Sequence, residues 1–119
     1  MNKQTRVVLL DAANEEYHHL NQLVGEQLKE WKQNSDEIQL LKSIKQKVEF
    51  IKANPFYGDN IPKRLIPPEY NVQNLWRVEL VNFWRMMYTI KGDQIEIVCF
   101  VLDIVDHDGY NKKFGYKKK

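Results

Sequence analysis

Leu75-Trp76-Arg77-Val78-Glu79-Leu80-Val81-Asn82-Phe83-Trp84-Arg85-Met86-Met87-Tyr88-Thr89-Ile90 is the stretch whose reading decides the fold. Apolar and polar residues alternate through 75–80, the period of a strand with one buried face. Asn82 marks a tight turn, and Phe83 to Ile90 reads as a second strand. Gly92-Asp93 marks another turn. Ile95 to Val105, apolar on both faces for much of its length, then reads as a central strand. Two tight turns in succession make an antiparallel meander. In it Phe83, Arg85, Met87 and Thr89 point to one side of the sheet, and Trp84, Met86, Tyr88 and Ile90 to the other. Arg77 and Glu79 likewise oppose Trp76, Val78 and Leu80. Arg85 is thus a charge in the middle of an apolar sheet, expensive to bury unpaired. It either pairs with a carboxylate, such as Glu79, or faces an open, wet concavity.

Upstream, Arg6-Val7-Val8-Leu9-Leu10 reads as a short buried strand. Asp11 or Asn14 is placed to cap the helix that follows, with Glu15 and Glu16 at its positive end. Ala13, Tyr17, Leu20, Val24, Leu28 and Trp31 recur in steps of three and four and form one helical stripe. Asn34-Ser35-Asp36 interrupts the period and offers a second cap. Ile38, Leu41, Ile44, Val48 and Ile51 form a second stripe. A short link between two amphipathic helices forces an antiparallel hairpin. Asn54-Pro55 ends the second helix. Residues 55–74 hold all four prolines and Gly58, a long loop of the kind that usually has a function. Its Phe56, Tyr57, Ile61, Leu65 and Ile66 need something to pack against.

The predicted order is therefore β-α-α-β-β-β. This is an α+β fold with an antiparallel sheet and an N-terminal helical hairpin packed on one face. The opposite sheet face stays partly uncovered. At 119 residues, 43% apolar and 29% charged, the chain has the size and composition of a single domain, residues 1–119. Residues 111–119 read as a basic C-terminal tail. Residues 1–54 hold eight basic and eight acidic side chains, whereas residues 55–119 hold ten and eight. Five of those ten are Lys112, Lys113, Lys117, Lys118 and Lys119. They serve either as a solvated terminus or as a phosphate-attracting one.

Several chemistries are excluded. The single cysteine rules out an intrachain disulfide and a four-cysteine zinc site. Cys99, mid-strand, reads as an inert core thiol. His18 and His19 are adjacent, so their side chains diverge by about 100° on a helix and cannot share a metal. Neither a metal nor a cofactor is expected. No glycine-rich phosphate loop or glycine-flanked nucleophilic serine occurs. No apolar run approaches the ~20 residues of a membrane span. Val7 to Leu10 is too short for a secretory signal, so the expected compartment is the cytoplasm.

The order of elements and three motifs resemble the RelE/ParE superfamily of type II toxin–antitoxin proteins. Residues 75–90 match the family's strand-turn-strand signature: aromatic-Arg-Val, a tight turn, aromatic-Arg, two apolar residues, then Tyr. The turn Val81-Asn82 lacks the family's usual glycine. Asp106-His107-Asp108-Gly109-Tyr110-Asn111-Lys112-Lys113-Phe114-Gly115-Tyr116 matches the polar, histidine-bearing segment after the last strand. Asn54-Pro55, Gly58, Lys63 and Arg64 match the loop before the sheet.

The resemblance implies a function. Nuclease members are mRNA interferases that cut ribosome-bound mRNA without a metal, by attack of a 2′-hydroxyl on the adjacent phosphate. That reaction needs a base, an acid and fixed positive charge on the phosphorane. By resemblance Arg85 takes the scissile phosphate, where its planar fork reaches two oxygens at once. His107 is the proton-transfer group, with Asp106 or Asp108 placed to orient it. Tyr110 is an alternative acid or base, or a stacking ring. Lys63, Arg64, Arg77, Lys112 and Lys113 are candidate RNA-backbone contacts. Phe114 and Tyr116 are candidate stacking rings. The implied partners are mRNA on the ribosome and a cognate antitoxin, which would dock a folding-on-binding segment near Trp31, Phe56, Tyr57 or Trp84. The alternatives on the same fold are a ParE-type toxin that inhibits DNA gyrase by contact, and an inactive member that only binds a partner.

Overall fold

A computed structural model describes residues 3–92 and 96–115, and in it the alternation over 75–90 becomes two paired strands. The elements are β1 (Gln4–Leu9), α1 (Asp11–Lys29), α2 (Asp36–Ala53), β2 (Asp59–Asn60), β3 (Trp76–Glu79), β4 (Arg85–Gly92), β5 (Glu96–Val105) and α3 (His107–Phe114). They build a five-stranded sheet in the order β1-β5-β4-β3-β2. The meander β3-β4-β5 is antiparallel, with Trp76 opposite Tyr88 and Glu79 opposite Arg85. The sheet as a whole is mixed rather than antiparallel throughout, because β1 lies parallel to β5. The helical hairpin carries the chain from β1 across the sheet to β2 at the opposite edge, and the meander returns it to β5 beside β1.

The hairpin packs on one face of the sheet. Ala13, Leu20 and Val24 of α1 and Ile38, Leu41, Ile44 and Ile51 of α2 meet Val78, Leu80, Met86, Tyr88, Cys99, Val101 and Ile104. Ser35 caps α2, its Oγ accepting from the N–H of Ile38 at 3.1 Å. The start of α1 departs from expectation. Leu10 occupies the cap position without a side-chain bond, and Asp11, with a positive φ of 39°, opens the first turn. Trp31 also falls outside the stripe. It follows the helix with a positive φ of 64° and stands 86% exposed.

The other sheet face is less open than the sequence suggests. Residues 107–114, expected as a polar segment running into a tail, form α3. Tyr110 of α3 joins Leu75, Met87 and Ile61 in a second core, with Ile66, Tyr70, Val72 and Phe114 packed around it. The 55–74 loop thereby finds its packing partner. It contains β2 and 3-10 turns at Lys63–Leu65 and Pro68–Tyr70.

Two local features fix the loop and the register of the sheet. Gly58 sits where a Cβ would fall 2.8 Å from the Arg77 carbonyl oxygen. Its N–H donates to the Tyr88 hydroxyl at 3.0 Å, and that hydroxyl donates to the Pro55 carbonyl at 2.7 Å. The loop is thus pinned to the sheet. Second, the pairing shifts by one residue between Met87 and Tyr88, which face Asp103 and Val101. Leu102 is the extra residue of this β-bulge. Strict alternation would send Asp103 into the main core beside Val101. The bulge turns it to the α3 face instead.

Candidate active site

Arg85 begins β4 directly after the turn and projects to the α3 face. Its Nη1 donates to the Phe83 carbonyl at 3.3 Å and to His107 Nδ1 at 3.2 Å. Its guanidinium lies 4.5 Å from the centre of the Tyr110 ring. Phe114 stacks on Tyr110 at 4.3 Å, which leaves the opposite ring face to the cation. Arg85 forms no ion pair with Glu79 or any other carboxylate among the described residues. Its Nε is buried without a partner, and Nη2 has no hydrogen bond or ion pair among the described residues. Pairing with a carboxylate is thus not seen among the described residues, and Arg85 is half-buried rather than standing in an open concavity.

The geometry assigns the histidine tautomer. Arginine only donates, so Nδ1 of His107 presents its lone pair to Nη1. That tautomer has its proton on Nε2, which lies 3.1 Å from Asn111 Nδ2. For that contact to be a hydrogen bond, the amide oxygen must face the ring. Asp106, expected to orient the histidine, caps α3 instead, accepting from the Gly109 N–H at 2.8 Å. Arg85 and Asn111 hold the ring.

Arg77 stands on the other side of Tyr110. Its Nη1 donates to the Tyr110 hydroxyl at 3.0 Å and its Nη2 to Asp59 at 3.3 Å. Burial works against its charge, but Tyr110 and Asp59 outweigh it and hold the guanidinium above its ordinary pKa.

No protein-family model matches the chain, and no curated protein matches it. A solved structure does: the YoeB/ParE toxin from Agrobacterium tumefaciens superimposes with a TM-score of 0.56, over 86% of this chain and 98% of that one, at 14% identity. The fold is RelE/ParE-like. At this identity the likeness is one of architecture.

On this RelE/ParE-like scaffold the residues singled out from sequence separate into three groups. Arg85, His107 and Tyr110 come together. Lys63 and Arg64 on the 3-10 turn and Lys112 on α3 are exposed, and none has an ion pair among the described residues. The third group is engaged within the protein. Lys113 bonds Glu69 and Asp103 at 3.3 and 3.4 Å, and Arg77 is held as above. Tyr110 is 3% exposed, which closes its ring to a base, and Phe114 is half-buried with one face stacked on Tyr110. Tyr116 and Lys117 to Lys119 lie outside the described residues. Of the expected docking aromatics, Trp31, Phe56 and Tyr57 are exposed, whereas Trp84 packs against the main core.

Sequence reading missed three supports. Asn111 lies one helical turn after His107, visible only once 107–114 is known to be a helix. Asp103, 4% exposed, accepts from the Tyr70 hydroxyl at 2.8 Å and pairs with Lys113. This tethers α3 to β5 and the loop. Phe83, read as the start of a strand, belongs to the turn and is 76% exposed. No helix among the described residues is long and apolar enough to cross a membrane.

Proposed function

We propose that this chain is the toxin of a type II toxin–antitoxin pair and cleaves ribosome-bound mRNA by 2′-hydroxyl attack. The observation that carries the reading is an arginine 3.2 Å from a histidine and, among the described residues, without a carboxylate partner. A structural arginine in a sheet is ordinarily neutralised by a carboxylate; an unpaired one beside a proton-transfer group suits a phosphodiester. Arg85 takes the nonbridging oxygens of the scissile phosphate. As the phosphate draws Nη1 away, His107 Nδ1 is released and takes the proton of the 2′-hydroxyl. The 2′-oxygen bonds to phosphorus, the bond to the 5′-oxygen breaks, and that oxygen takes a proton from solvent. The products are a 2′,3′-cyclic phosphate and a 5′-hydroxyl. Tyr110 carries Arg85 on its ring face, and the exposed Lys63, Arg64 and Lys112 contact the RNA backbone. The protein partner is a cognate antitoxin, and the setting is the cytoplasm.

The test is expression of wild type, Arg85→Ala and His107→Ala, scoring growth arrest and mRNA integrity in translating extract. Arrest with cleaved mRNA in wild type alone supports the reading. Equal toxicity in all three with intact RNA overturns it and turns attention to a supercoiling assay with DNA gyrase.

A further inference from the structure

The turn between β3 and β4 holds an aromatic ring in water at a cost to the backbone. Asn82 and Phe83 both have positive φ, 56° and 64°. Asparagine tolerates that region, whereas a bulky residue there is strained. The turn is closed on both sides of the strain, by Leu80 N–H to the Trp84 carbonyl at 2.8 Å and Trp84 N–H to the Val81 carbonyl at 3.2 Å. The resulting Phe83 side chain is 76% exposed, so the strain secures no core packing. It places the ring edge-to-face with the His107 imidazole, centroids 6.2 Å apart at 63°. The same residue's carbonyl accepts from Arg85 Nη1. Phe83, Arg85, Glu79 and Asn82 line one cleft of about 430 Å³.

A nucleotide joins a flat ring to an anion a few ångströms away. This cleft joins a flat exposed ring to a cation that has no carboxylate partner among the described residues, and the His107 imidazole beside it touches both. Tyr110 is buried, and Phe114 is half-buried with one face stacked on it, whereas Phe83 is the exposed ring next to Arg85. We propose that Phe83 is the platform on which a base next to the cleaved phosphate stacks. The proposal rests on the reading that Arg85 binds that phosphate. It makes Phe83 a residue that orients the substrate.

The experiment uses the full chain and ribosome complexes programmed with a defined mRNA. Single-turnover cleavage is measured for wild type, Phe83→Trp, Phe83→Leu and Arg85→Ala. A parallel mRNA carries 2′-deoxy residues, which block attack, and 2-aminopurine at one position at a time, whose fluorescence falls on stacking. Leucine keeps the bulk and the backbone constraint but lacks a π face, and circular dichroism checks that each variant is folded. Expected are tryptophan near wild type and leucine slower by about tenfold or more, with quenching at one position in wild type and lost with leucine. A leucine variant that cleaves and quenches like wild type while Arg85→Ala is inactive overturns the stacking role alone. Arg85→Ala as fast as wild type, or wild type that cuts no RNA, overturns the underlying reading with it. A leucine variant that cleaves normally but escapes its antitoxin overturns the proposal in favour of a protein contact.

Discussion

Arg85 and His107, 22 positions apart in the chain, meet at 3.2 Å between Nη1 and Nδ1. Arginine only donates, so the contact is a hydrogen bond when Nδ1 presents its lone pair to Nη1. Because α3 follows β5 after a single residue, Asp106, and β5 pairs with β4, the two side chains sit on one rigid unit. Arg85 lies opposite Val105 in that ladder.

Removal of either partner is expected to lower cleavage sharply. His107→Ala should cost about 10²- to 10⁴-fold in single-turnover rate, the usual range for a positioned acid–base group. Arg85→Ala should cost about 10²- to 10³-fold, as for loss of one transition-state donor. The double variant should be little worse than the poorer single one, because the groups act as a unit. Full additivity in the measured rates would argue that they act separately.

Lys63, Arg64 and Lys112 should behave differently from Lys113. Each exposed cation that contacts RNA should, on alanine substitution, reduce the slope of log affinity against log salt by about 0.7. Stability should hardly change. Lys113→Ala instead leaves buried Asp103 with Tyr70 as its remaining partner. Unfolding should then cost about 1–2 kcal/mol less, below the value for a fully buried pair because Lys113 is one-third exposed to solvent. Urea melts and a salt series on the same variants separate the two classes.

Gly58→Ala should be destabilising by about 1–3 kcal/mol. The added carbon meets backbone, the Arg77 carbonyl at 2.8 Å, and the rigid Tyr88 ring at 3.1 Å. Neither yields as a flexible side chain would. A thermal melt of the variant unchanged from wild type would contradict the close approach.

Alkali should unfold the protein through two buried acids. Burial pushes the Tyr88 hydroxyl up from 10.0 to about 12 and the Cys99 thiol from 9.0 to about 11. In both, the folded state holds the proton more tightly than the unfolded state. Their stabilising contribution is therefore complete below pH 9, declines from pH 9 to 12, and is gone above it. The melting temperature should fall across that window. Cys99→Ser, whose hydroxyl does not titrate there, should delay the onset toward pH 10.

Phe83→Gly should trade activity for stability. Glycine accepts φ of 64° without strain, so the variant should gain about 1 kcal/mol while cleaving more slowly than wild type. A melting temperature below wild type would contradict the strain at this turn.

The alternation over 75–90, the helical stripes of α1 and α2 and the Asn54-Pro55 stop were legible in the chain alone. Each depends on the period of a local backbone and on burial of one face. So was the orientation of Arg85 and Met87 away from Met86 and Tyr88, since a strand has only two faces. Tertiary structure alone decided the rest. The parallel placement of β1 against β5, the bulge that turns Asp103 toward Tyr70, and the folding of 107–114 into α3 all depend on partners distant in sequence. The same holds for which cations stay free. Lys113 and Arg77 look no different from Lys112 and Arg85 in a string of letters. Their fate is set by whether Asp103, Glu69 and Asp59 arrive within bonding distance, because a charge near the surface is neutralised by whatever the fold brings beside it.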